Sequence, residues 1–216
     1  MIKLPDSDEP LRILALDPGS SHLGVAYIHD YLDSRPLEMF HAYTVHLKDN
    51  APMYTHLSDV HDNRTIRLMQ LGDAVLDVCR TFRPHVIIVE SNYLGRFPTA
   101  FAALVECVAM VRSSVYMYDP FLPLYQVDPS TVKINAGIQR VKGTDKEDVR
   151  KALHARTHIR WTVDLDSLDE HAVDACAIGL YCAENVTPKV TPLNPVRKLK
   201  IKKKPRRPKG KRGKRK

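Results

Sequence analysis

Apolar residues fall in two distinct rhythms along this chain. Leu11 to Ile28 is nearly continuous in apolar residues, broken by Asp17-Pro18-Gly19-Ser20-Ser21-His22. Such a run, punctuated by Pro and Gly, reads as two buried strands joined by a tight turn, near Arg12–Leu16 and Gly24–Ile28. A third strand is expected near Glu38–His46, followed by a long polar connection over Lys48–Asn63, part of it expected to be disordered. Thr65–Phe82 then changes period, with Ile66, Met69, Val75, Val78 and Phe82 spaced as the stripe of a helix. Pro84 to Asn92 returns to an unbroken β-branched run, the pattern of a strand covered on both faces. Thr99–Tyr118 is apolar on most sides and predicts a helix deep in the core or at a partner surface. A strand near Pro123–Val127 and helices near Ser130–Ala136, Asp145–Thr157 and from Ser167 onward complete the pattern. Strands first, then alternating helices and strands, predict a mixed sheet flanked by helices.

The chemistry sits where these elements end. Asp17 closes the first strand and Glu90 the strand Pro84–Asn92, so two carboxylates are expected at carboxyl ends of central strands. Ionised carboxylates so placed need solvent, hydrogen bonds or a cation. Ser167 and Glu170 have capping-box spacing, which predicts a helix start that puts His171 and Asp174 on one face. Clustered acids repel one another, and Mg²⁺, an oxygen-seeking ion that shares its shell with phosphate, relieves that repulsion. Two such ions roughly 3.5–4 Å apart can serve phosphodiester hydrolysis.

Asp17 in Asp-Pro-Gly-Ser, Glu90 at its strand end and the late helix with His171 and Asp174 together resemble the RuvC family of Holliday-junction resolvases. That family lies within the RNase H-like nucleases, and the resemblance runs from about Leu11 to Ala183. It implies an α/β, RNase H-like mixed sheet flanked by helices. It also implies four metal-site positions at Asp17, Glu90, His171 and Asp174. Many members carry Asp where this chain has His171, leaving ligand and proton-transfer roles both open for it. Tyr93 matches an aromatic that stacks near the junction centre, and Lys133 and Lys146 match basic positions near the scissile phosphate. Lys142 and Arg96 are further phosphate-contact candidates. The implied activity is Mg²⁺-dependent resolution of four-way DNA junctions by paired nicks, with Mn²⁺ able to substitute. The implied assembly is a C2 homodimer, its face assigned to the Thr99–Tyr118 helix.

Charge divides the chain. Val196–Lys216 holds 14 Lys or Arg and no acid, Arg197, Lys198, Arg206 and Arg207 among them. Removing those 14 from the 33 basic residues leaves 19 against 25 acids, so the formal +8 of the whole chain belongs to the tail and the remainder is near −6. With few apolar residues, the tail is expected to be disordered and to bind DNA through phosphates, which position without reading bases. A localisation signal is the rival reading of such basic clusters. The expected division is an extension over 1–10, a nuclease domain over 11–187 and the tail over 188–216. Cys79, Cys107, Cys176 and Cys182 lack CxxC spacing and read as reduced core residues. No apolar run is expected to span a bilayer and no signal peptide precedes the first strand, which predicts a cytoplasmic, nucleoid-associated protein with no membrane partner. The alternatives are an RNase H-like nuclease for other branched DNA or RNA, an actin-like ATPase, and a non-catalytic module that binds through its tail.

Overall fold

A computed structural model describes residues 2–6, 8–49, 51–92, 98–138 and 146–190. Six strands form one sheet of order β5-β4-β1-β2-β3-β6. They are β1 (Leu11–Pro18), β2 (His22–Asp30), β3 (Leu37–His46), β4 (Val86–Glu90), β5 (Leu124–Val127) and β6 (Ile159–Trp161). Strands β1, β2 and β3 run as an antiparallel meander, while β4 and β5 extend it in parallel from β1. The helices are α1 (Asn63–Phe82), α2 (Pro98–Tyr118), α3 (Pro129–Ala136), α4 (Lys146–His154), α5 (Glu170–Tyr181) and α6 (Thr187–Val190).

Successive side chains of a strand point to opposite faces, so the unbroken apolar run of β1 feeds two cores. Leu11, Ile13 and Ala15 join Ile28, Val173, Ala177 and Ile178 on the face covered by α5. Leu14 and Leu16 join Val75, Cys79, Val111 and Val115 on the face covered by α1 and α2. The four cysteines are free and buried in these cores. Ile2 is also buried, against the α5-side core.

Three sequence expectations need correction. By length and composition α2 is apolar enough to cross a membrane, contrary to the expectation that no run reaches that length. Here it packs on α1, burying Cys107, Val108, Val111, Ser114 and Val115, with Arg64 Nε of α1 donating to Glu106 Oε2 at 2.7 Å. Ser167 does not begin α5. Its hydroxyl turns back to the Asp164 carbonyl at 2.7 Å in a 3₁₀ turn, and Asp169 caps the helix by accepting from the Ala172 amide at 3.0 Å. A short polar side chain bonds whichever free amide its own backbone brings within reach, and the 3₁₀ turn takes Ser167 away from the helix end. The helix expected over Asp145–Thr157 ends at His154, and the edge strand β6 that follows is only three residues long, too short to show a period.

Elsewhere the caps follow the sequence. Asp62 accepts from the Thr65 amide at 2.7 Å to start α1. The connection before it docks on α1 through a 3₁₀ turn over Pro52–Leu57, whose Tyr54 hydroxyl donates to Asp73. Asp128 accepts from the Thr131 amide at 3.0 Å and from the Ser130 hydroxyl at 2.7 Å to start α3.

Candidate active site

Strand register builds this site. In the parallel pair, Leu16 of β1 stands opposite Val89 of β4. The next residues on the two strands are Asp17 and Glu90, so the two carboxylates leave the sheet side by side at one edge. They share a side-chain hydrogen bond, and Asp174 of α5 adds a third negative charge beside Glu90. Burial first, then repulsion from Asp17 and Asp174, pushes the Glu90 carboxyl well above the usual carboxylate range. Lys133 of α3 works against this shift from across the cleft. Glu90, Lys133 and Asp174 line that cleft with Val132, Ala136 and Ile178, around about 360 Å³ of open space.

Helix α5 lies directly on β1 and β2 because two glycines permit it. A Cβ on Gly24 would overlap the His171 carbonyl oxygen and stand 3.1 Å from the Asp17 Cβ. A Cβ on Gly179 would overlap Ile28 Cδ1 and stand 3.0 Å from Ala15 Cβ. The close approach puts His171 over Asp17, with Nδ1 3.3 Å from Oδ2, while Nε2 lies 3.7 Å from Glu170 Oε1. The hydrogen bond it donates to Asp17 is the main reason the His171 imidazole holds its proton more tightly than usual. Asp169, next to it, also accepts from the Thr44 hydroxyl, tying α5 to β3, and its carboxyl is lowered despite partial burial.

Of the residues singled out in the sequence, Asp17, Glu90, His171, Asp174 and Lys133 meet at this edge of the sheet. Lys146 opens α4, but its side chain lies outside the described residues, as do Tyr93, Arg96, Lys142, Arg197, Lys198, Arg206 and Arg207. The sequence reading missed Gly24, Gly179, Asp169 and the histidines His22 and His46. Nothing in the sequence marks the two histidines.

Among the described residues no three or more His, Cys, Asp or Glu are so placed that together they could hold an ion. The donor set nonetheless suits a hard divalent cation. It is rich in carboxylate oxygen, and burial together with repulsion from Asp17 and Asp174 favours the protonated form of Glu90 in the absence of a cation. Mg²⁺ usually takes one or two carboxylates and fills the rest of its shell with water and phosphate.

A mixed sheet with an antiparallel meander and parallel extensions defines an RNase H-like fold, here with acids at the ends of adjacent strands. No protein-family model matches the chain. It is 27% identical over 163 residues to the crossover junction endodeoxyribonuclease RuvC of Stenotrophomonas maltophilia (strain R551-3), which covers 75% of this chain and 84% of that protein. The Thermus thermophilus RuvC structure superposes with a TM-score of 0.58 at 19% identity, over 83% of this chain and 96% of that one. The yeast mitochondrial Holliday junction resolvase Ydc2 superposes with a TM-score of 0.55 at 15% identity, over 81% and 78%. By sequence and by fold this chain is similar to RuvC, and by fold to Ydc2.

Proposed function

We propose that this chain is a structure-selective endonuclease that resolves four-way DNA junctions by hydrolysing phosphodiesters in paired symmetric nicks. One observation carries the reading. The parallel register of β1 and β4 sets Asp17 beside Glu90, under the His171 and Asp174 face of α5, in a chain similar to RuvC over most of its length.

Asp17, Glu90 and Asp174 would hold divalent cations, Mg²⁺ by the hardness of the donors, with two ions expected and Mn²⁺ able to replace them. Bound there, the ions would neutralise charge on the scissile phosphate and raise the acidity of water. The side chains supply the rest. Lys133, across the cleft from Glu90, balances negative charge that builds on a phosphate entering between them. His171, its proton held by the contact with Asp17, serves as proton donor or completes the ligand set. Lys146, Lys142, Arg96 and the tail residues Arg197, Lys198, Arg206 and Arg207 contact phosphates, and Tyr93 stacks on a base opened at the crossover, an interaction worth about 1–3 kcal/mol.

Paired cuts call for two sites related by a two-fold axis, as in a C2 homodimer. Helix α2 supplies the face. Val105, Tyr116 and Met117 are exposed along it, and Phe121 just beyond is 90% exposed. In this reading the nuclease unit spans 11–187, with an extension before it and a DNA-binding tail after it, and the protein works in the cytoplasm on nucleoid DNA.

The test is cleavage of a labelled four-way junction beside a linear duplex made of the same arms, in Mg²⁺, with Asp17→Asn as control. Symmetric nicks on the junction alone, absent in the variant, are expected. Binding without cleavage, unaffected by the substitution, would overturn the reading and leave the acids as structural groups.

A further inference from the structure

The face of β2 that receives α5 carries a second contact beside Gly24. His22 lies two residues earlier, and residues at i and i+2 of a strand share a face. The two therefore act on the same residue of α5. Gly24 admits the backbone carbonyl of His171, while the His22 ring lies flat against the His171 ring, centroids 4.7 Å apart and planes 14° from parallel. His22 is itself held from two sides. Ser21 Oγ lies 2.8 Å from its Nδ1, and the cross-strand partner His46 of β3 meets its ring edge-on at 5.0 Å and 80°.

The His171 side chain thus has four restraints: its backbone on Gly24, its Nδ1 at Asp17, its Nε2 at Glu170 and one ring face on His22. The two nitrogen contacts, at 3.3 Å and at 3.7 Å to a half-exposed Glu170, touch the ring only at its edge and hold its plane loosely. The stacked ring supplies the plane. An imidazole that must present a nitrogen to a reacting group or an ion is effective only within a narrow range of angles.

We propose that His22 is a positioning residue for His171, a flat wall that fixes the plane of the catalytic imidazole without touching the substrate. This rests on His171 belonging to the catalytic site. Ring shape carries the role, so a phenyl ring should replace it and a branched aliphatic chain of similar bulk should not.

The experiment compares full-length wild type, His22→Phe and His22→Leu by two readouts. In the metal-free protein, the ring protons of His171 are read by NMR, where a stacked neighbour shifts them upfield. With Mg²⁺, kcat and KM are measured on the labelled four-way junction, and melting temperatures are recorded. Wild type and His22→Phe are expected to keep the upfield shift and to agree in kcat within about twofold. His22→Leu is expected to lose the shift and about tenfold in kcat, with KM and melting unchanged, as for a group misplaced by a fraction of an ångström. Equal turnover in all three variants would overturn the proposal. So would a His22→Phe protein as impaired as His22→Leu, or losses that follow the melting temperature. A wild type that leaves junctions intact while the NMR pattern holds would sink the junction reading; the stack would then stand as a structural contact with no catalytic role.

Discussion

Asp17 and Glu90 lie 73 positions apart in the chain yet share a hydrogen bond, because β1 and β4 run parallel with Leu16 opposite Val89. Buried, and set beside Asp17, Glu90 holds a proton that it would release in water. The pair is unfavourable for the fold by itself and useful only to something cationic. Replacing either acid with its amide should lower junction cleavage more than about a hundredfold, since several kcal/mol of charge stabilisation are removed. The same replacement should raise the melting temperature of the metal-free protein, because it removes the repulsion. Gel assays and thermal melts on Asp17→Asn and Glu90→Gln check both halves.

The raised Glu90 carboxyl also sets a pH dependence. Below the ordinary carboxylate range the group is protonated whether the chain is folded or unfolded, and its contribution is fully present. As pH rises above that range the unfolded chain releases the proton while the folded chain retains it, so stability falls steadily toward the raised folded value. Metal-free protein should therefore lose stability in urea from pH 5 upward, and Glu90→Gln should flatten the slope. Because a divalent cation competes with that proton, Mg²⁺ should stabilise the wild type more at pH 8 than at pH 6.

Gly24 and Gly179 both seat α5, but they differ in what a methyl group would strike. At Gly24 it meets the backbone carbonyl of His171, which cannot move without moving the helix. At Gly179 it meets chiefly the terminal Cδ1 of Ile28, which can rotate away. Gly24→Ala should cost about 3 kcal/mol and abolish cleavage by lifting His171 off Asp17, whereas Gly179→Ala should cost about 1 kcal/mol, the two ends of the usual range for overpacking. Urea unfolding midpoints and turnover of the two variants test the contrast.

The exposed side of α2 bears on oligomeric state. Met117 is 74% exposed and Tyr116 54%, so a lysine at either position is harmless to a monomer and disruptive inside a dimer face. Met117→Lys should shift sedimentation from dimer to monomer with the melting curve of the monomeric fold retained. Paired nicks on a junction should then give way to single ones.

The acids themselves were legible because the apolar runs of β1 and β4 end abruptly at Asp17 and Glu90, and a run apolar on both faces can only be an interior strand. The α1 stripe was legible for the same local reason: its members recur within a turn or two of one another. The start of α5 was misread because Ser167 and Asp169 are both residue types that cap helices, yet Ser167 donates to the Asp164 carbonyl and only Asp169 accepts from a helix amide. The choice between them rests on the 3₁₀ turn over Leu165–Ser167, which packs Leu165 into the core.

By itself the sequence determined strands β1 to β5 and helices α1 to α5 in outline, the two-sided burial of the central strands, the acids at their ends and the separation of a basic tail from an acidic body. These follow from side-chain periodicity and composition, which are properties of neighbouring residues. Only the tertiary structure decided that Asp17 meets Glu90, that Gly24 gives α5 its seat and that His22, His171 and His46 form a row of rings. Those contacts join positions on different elements, and their geometry is set by strand register and helix docking, on which the local pattern of a chain places no constraint.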